Sequence, residues 1–215
     1  MSDSADMATA APPYAPGILT AADAACDGPP KARALFVAGV EAFASLGYHA
    51  TTTRDIASRA GLSPAGMYVH YRSKDELLAA ICRFGHGRVL ELMITAAKVR
   101  DPAERIATMA RDSAIFHAEH HTVARVNQNE YRALSDEPRA EVVAMRRQIT
   151  ALHLKAMRAG VRKGAFRVAD VDGTSVALLT MCHDVARWFP TREVDDPRRV
   201  GDLYAELALR MVGAA

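Results

Sequence analysis

Residues 50–78, ATTTRDIASRAGLSPAGMYVHYRSKDELL, crowd hydroxyls, guanidinium groups, phenols, an imidazole and an ammonium into one short stretch. Thr52 and Thr53 stand where a short helical pattern starts. At such a start, hydroxyls and unpaired backbone amides can meet phosphate oxygens. Arg54 follows with a planar fork able to grip a guanine edge. Tyr68, His70 and Lys74 ring the exit of the next helical pattern. Lys74 also opens a helix, where the dipole does not favour a cation. A nearby phosphate would account for it, and so would plain exposure. The helix between them begins Ser63-Pro64-Ala65-Gly66, almost without hydrogen-bonding side chains. Its readout of bases would rest on thymine methyls against Ala65 and close backbone approach at Gly66. Tyr71 fits core packing better than contact with a polyanion, and Arg59 and Arg72 fit a solvated face or secondary phosphate contacts.

A second group is His117, His120 and His121 in HAEHH. His117 and His121 are four apart, a spacing able to chelate a metal on one helix face. The order is not H-E-x-x-H, so the zincin placement of glutamate is missing. Ordinary polar contacts fit these imidazoles better. We expect no metal, no cofactor and no catalytic set, because no nucleophile–base pair or phosphate loop accompanies them.

The elements that must position these groups are helices. Nearly every apolar stretch follows three-to-four spacing, and alanine and leucine abound while aromatics are 6% of the chain. The fold class expected is all-α. From Lys31 an amphipathic helix carries Phe36, Val40 and Phe43 and stops at Gly47. Thr52 and Asp55 form a candidate cap pair, a relative of the capping box. Gly61-Leu62 makes a tight turn, Ser63 caps the next helix, and Pro64 takes its first position. Ser73 with Glu76 caps a fourth helix from Lys74 to about Val99. Further helices are expected near 102–117, 120–133, 138–162, 171–189 and 198–212, with a break at Pro190. Two short helices buttressed by a preceding one form a helix-turn-helix, which presents one helix to a major groove about 12 Å wide.

The 215 residues carry a formal net charge of +2, unevenly spread. Residues 1–30 hold four acids and no Lys or Arg; residues 31–88 hold eight bases against four acids. A basic segment behind an acidic tail suits a polyanion. The Ala-, Pro- and Ser-rich residues 1–30 are expected to form a disordered tail. Cys26, Cys82 and Cys182 fit no disulfide framework or zinc pattern, so reduced thiols and a cytosolic, cytoplasmic location are expected. No apolar run approaches the ~20 residues of a membrane span.

The chain resembles the TetR family of transcriptional regulators. The resemblance rests on F-A-x-x-G-Y at Phe43–Tyr48, T-T-x-R-D-I-A at Thr51–Ala57, A-G-L-S at Ala60–Ser63, and M-Y-x-H-Y-x-S-K-D-E-L-L at Met67–Leu78. It implies an N-terminal three-helix head (31–78) on a larger C-terminal helical body for ligand binding and dimerisation (79–215). It implies double-stranded operator DNA as partner, contacted by Thr52, Thr53, Arg54, Ser63, Ala65, Gly66, Tyr68, His70 and Lys74. It also implies a homodimer through the last two helices, with Val176, Leu179, Val185, Leu203, Leu207 and Met211 as interface candidates that could equally line the monomer core. The body would hold a small-molecule effector, and Met109, Phe116, His117, Asn127, Tyr131, Met145, Met181 and Trp188 are ligand candidates. Each singly fits core packing at least as well. The stretch MCHDVARWF resembles, more loosely, family members that sense acyl-CoA thioesters or lipid-like molecules, and would place Arg146 or Arg187 at a pocket rim. Gly85 and Gly87 inside the fourth helix would either soften it as a hinge or allow close packing. The function implied is a ligand-released repressor. The alternatives are an architectural DNA binder without ligand and a helical metalloenzyme.

Overall fold

The computed structural model describes residues 16–25, 29–189 and 196–214. Cys26, Pro190 and residues 1–15 of the acidic tail lie outside the described residues. Within them the chain is helical throughout: α1 Pro16–Ala25, α2 Pro30–Leu46, α3 Thr53–Arg59, α4 Pro64–Tyr68, α5 Lys74–Ala96, α6 Pro102–Glu119, α7 His121–Glu130, α8 Asp136–Arg162, α9 Val171–Trp188 and α10 Pro197–Met211.

The head owes its compactness to its caps. Gly47, at φ +78°, ends α2, and Thr51 reaches back to donate to the carbonyls of Gly47 at 2.7 Å and Ala42 at 3.2 Å. The Thr52 hydroxyl accepts from the Asp55 amide, while the Asp55 carboxylate accepts from the Thr52 amide at 2.9 Å, a complete capping box. α3 then closes on Gly61 at φ +68°: Leu62 N–H donates to Ala57 O and Gly61 N–H to Ser58 O, the two bonds of a Schellman motif. Ser63 caps α4 through the Gly66 amide. Phe36, Phe43, Ile56, Met67 and Tyr71 fill the space between the three helices, all buried.

α5 joins head to body. Its first turn packs on α2, and its middle packs on α6, α7 and α8. α6 lies in the centre of the body against α8, α9 and α10. Met93, Ile106, Met109, Val123, Met157 and Val185 make the body core.

One expectation is corrected. Residues 16–25, assigned above to a disordered tail, form α1, which packs on α2, α5 and α7. Its apolar face is small: Ile18, Ala21 and Ala22, all buried. The His120 Nδ1–H donates to Gly17 O at 2.8 Å, and Asp23 pairs with Arg33 of α2. The setting of α1 among Ala, Pro and Asp hid a three-residue stripe that suffices because its neighbours supply the rest of the surface. Ile18→Ala is expected to cost about 2 kcal/mol, the low end for a buried isoleucine, and to lower the Tm by about 4–8 °C. An unmoved melt would show α1 undocked in solution.

Gly85 lies within the unbroken α5, and a Cβ there would fall 1.5 Å from Asn127 Nδ2. Close packing of α5 on α7 therefore explains this glycine without a hinge. At Gly87 a Cβ would meet nothing within 4 Å.

Candidate nucleic-acid interface and body cavity

The caps place the expected DNA groups along one exposed edge of the head. Thr53 Oγ1 at the start of α3 lies 3.5 Å from the Tyr68 hydroxyl at the end of α4. Arg54 is exposed, as are Ser63 and Ala65, and none of the described carboxylates pairs with Arg54. Tyr68 is 51% exposed and Val69 78%. Val69, just past the end of α4, leaves an open apolar side chain next to Tyr68 that sequence reasoning missed. Its signal was present: Val69 falls off the stripe set by Met67 and Tyr71. Gly66 is not required by the fold, since a Cβ there would meet nothing nearer than Ser63 Oγ at 3.4 Å. His70 is half-buried at the same end.

Two of the expected DNA-contact residues are engaged within the head itself. The Thr52 hydroxyl is engaged in the capping box, donating to Asp55 Oδ2 at 2.7 Å. That carboxylate is held below its usual pKa first by the Thr52 hydroxyl and then by the Thr52 amide. Lys74 is half-buried rather than displayed. Its Nζ donates to the carbonyls of Tyr48 and Thr51, both at 2.7 Å, and sits 4.2 Å from the centre of the Tyr48 ring. The dipole penalty at the start of α5 is offset by these two carbonyls, so no phosphate is needed to explain the cation.

The body holds a small cavity of about 100 Å³, below the ~300–1,000 Å³ usual for occupied small-molecule sites, so a drug-sized effector must widen it on entry. α5 gives it Gly85, His86 and Val89; α6 gives Phe116 and His117; α7 gives Asn127 and Gln128. Arg146, Ile149 and Thr150 come from α8, and Leu179 and His183 from α9. Of the ligand candidates, Phe116, His117 and Asn127 are on the wall. Tyr131 lines an outer groove that shares Arg146 and Thr150 with the cavity. Met109 is buried in the core, Met145 and Met181 are half-buried elsewhere, and Trp188 stacks on Tyr204 of α10. Arg187 is exposed and paired with Asp184, so of the two rim candidates only Arg146 reaches the cavity. His86 and His183 were missed; both stand one place after a residue that drew the eye, Gly85 and Cys182.

The wall imidazoles are neutral. Burial drives His117 down to about 3 and both His86 and His183 down to about 4, helped for His117 by His183 and for His183 by Arg146. His117 Nδ1 bonds Ser113 O at 2.7 Å, which fixes the proton on Nδ1 because a carbonyl can only accept. His120 and His121 likewise give Nδ1 to the carbonyls of Gly17 and Ala118. No three His, Cys, Asp or Glu side chains cluster as a metal site among the described residues. The buried Cys82 and Cys182 thiols are pushed up to about 12 by desolvation and are unreactive. No helix among the described residues is long and apolar enough to cross a membrane.

A capped helix-turn-helix head carried on a helical body is the arrangement that presents one short helix to a DNA groove. Residues 35–81 match the family model of bacterial regulatory proteins, tetR family, and residues 99–212 that of the tetracyclin repressor-like C-terminal domain. The chain belongs to the TetR family of transcriptional regulators. It is 30% identical over 175 residues to the HTH-type transcriptional repressor KstR2 of Mycobacterium tuberculosis H37Rv, covering 78% of this chain and 85% of that one. It is 28% identical over 114 residues to the fatty acid metabolism regulator protein of Bacillus subtilis 168, covering 53% and 59% of the two chains. A solved tetR-family regulatory protein from Rhodococcus RHA1 superposes with a TM-score of 0.79 at 37% identity, covering 87% of this chain and all of that one.

Proposed function

We propose that the protein is a cytoplasmic, ligand-released repressor that binds a partly palindromic operator as a homodimer. Residues 31–78 form the DNA-binding unit and 79–215 the effector and dimer unit. Arg54 reads a base edge; Thr53, Tyr68, His70 and the helix starts at Thr52 and Ser63 meet phosphates; Ala65 and Gly66 lie against bases. The observation that carries the ligand response is α5. Its first turn holds the head through Lys74, and its middle forms a cavity wall through Gly85, His86 and Val89. An effector that presses on that wall moves the helix on which the head is mounted, and changes the distance between two heads. Reciprocity then requires DNA to weaken effector binding by the same factor.

The dimer reading is supported by apolar exposure on the last two helices: Val176 at 59%, Leu203 at 49% and Met211 at 40%. Leu179 and Val185 are buried in the monomer and leave the interface set. The effector is lipid-like, with acyl-CoA thioesters the first class to try, because the cavity is largely apolar and a relative over half the chain is named for fatty acid metabolism.

The test is fluorescence anisotropy on DNA from upstream of its own and adjacent genes, at fixed salt because phosphate contacts make affinity steeply salt-dependent. Site-specific binding released by one thioester supports the whole reading. Arg54→Ala should weaken specific binding about ten- to hundredfold and relax preference at one base pair per half-site. Equal affinity for random DNA would remove the repressor reading.

A further inference from the structure

We propose that the cavity takes the anionic end of an acyl amphiphile, and that Arg146, held in place by His86, is the group that meets the anion. This rests on the effector reading above and specifies the chemistry of the same site.

Arg146 is the one charged residue on the cavity wall; no Asp or Glu lines it. Its guanidinium lies 4.7 Å from the centre of the Tyr131 ring, and NH1 is 3.3 Å from His86 Nε2. A guanidinium has donors only, so His86 Nε2 must accept. The His86 proton is then on Nδ1, which donates to Cys82 O at 3.0 Å. His86 therefore orients the fork without neutralising it, and Tyr131 supports it from below the plane through its ring face. Among the described residues no carboxylate forms an ion pair with Arg146. The fork keeps four further N–H donors, in a geometry that matches a carboxylate or phosphate. A positive charge at a partly dry site with no counter-ion is costly, and an incoming anion relieves that cost. The rest of the wall suits an acyl chain: Val89, Phe116, Ile149 and Leu179.

Two sources could supply the anion: the carboxylate of a free acid, or the phosphates of a coenzyme thioester reaching Arg146 from the outer groove, which Arg147 also lines. The experiment is calorimetric titration of the full chain with decanoate, decan-1-ol and decanoyl-CoA. A preference for decanoate over decanol of about ten- to hundredfold, lost in Arg146→Gln and partly kept in Arg146→Lys, establishes a free-acid site. The same preference shown only by decanoyl-CoA, again lost in Arg146→Gln, establishes the thioester. His86→Leu should shrink the preference and His86→Gln, which keeps an acceptor, should retain it. Arg187→Gln should leave the preference unchanged. If all three probes bind alike, the anion assignment is overturned while the effector cavity stands. If none of them binds, the effector reading itself falls.

Discussion

Acidified from pH 7 to pH 5, the protein is expected to lose about 6 kcal/mol of stability, comparable with the ~5–15 kcal/mol that holds a domain folded. Three imidazoles carry most of this. His86, His117 and His153 are buried, and burial is the first cause that drives them from 6.5 to about 4, about 3 and about 4. Arg146 and neighbouring imidazoles add to this for the first two, while the hydrogen-bonded carbonyls of Cys82 and Ser113 act the other way without offsetting the burial. A base whose pKa is depressed by folding is neutral in the native state while the unfolded chain takes up protons below 6.5. Stability is therefore fully present above about pH 6.5 and falls as pH drops towards 4. At pH 5 each such group contributes about 2 kcal/mol of destabilisation. His183, half-exposed by area, adds to the same trend more weakly. Glu41 and Asp112, raised by burial from 4.5 and 3.8, act with opposite sign at the acid end. Thermal melts at fixed ionic strength from pH 7.5 to 5 provide the measurement. His153→Gln, which can keep a bond to Ser175, should flatten the dependence by about a third. A Tm independent of pH across this window would mean these imidazoles are solvated in solution.

The same imidazoles show which parts of the molecule were readable from sequence. The head was legible because its instructions are local. Thr52 with Asp55, Gly61, Ser63 with Pro64, and Ser73 with Glu76 each cap or turn a helix within four residues of themselves, and each lies where the caps predicted. The cavity was not, because it is a meeting of five helices whose rotations no single window sets. His86 reads as an arbitrary polar residue between two glycines until α8 brings Arg146 against it. Gly85 reads as a helix defect until α7 fills its space with Asn127. α1 failed for the opposite reason: its stripe is too short to register alone, and its partners are α2, α5 and α7. Lys74 was placed correctly on its helix, but its carbonyl partners were not legible, because a four-carbon stem lets the ammonium fold back as easily as point outward.

Lys74→Met is expected to separate the two roles such a lysine can play. The ammonium binds the carbonyls of Tyr48 and Thr51, in the loop that sets the angle between α2 and α3. The Tyr48 amide donates in turn to Glu130 of α7, and the neighbouring Asp75 accepts from Ser135 ahead of α8. Lys74 thus stands where the head, α5 and the body meet. Removing its charge leaves two part-buried carbonyls unpaired, at about 1–3 kcal/mol each. The loop loosens, α3 tilts, and Arg54 and Thr53 lose their alignment with Tyr68. Stability should fall by about 2–6 kcal/mol, and operator affinity about tenfold or more even at temperatures where the protein remains folded. The discriminating quantity is salt dependence. A direct phosphate contact contributes about 0.9 to the slope of log K against log salt, and so nearly 2 for a dimer. If Lys74 acts by holding the loop, affinity drops while the slope of the wild type is kept. Should the slope instead fall by about 2 with the melt unchanged, Lys74 is a phosphate ligand on the operator, and the two carbonyl bonds are a resting position that DNA displaces.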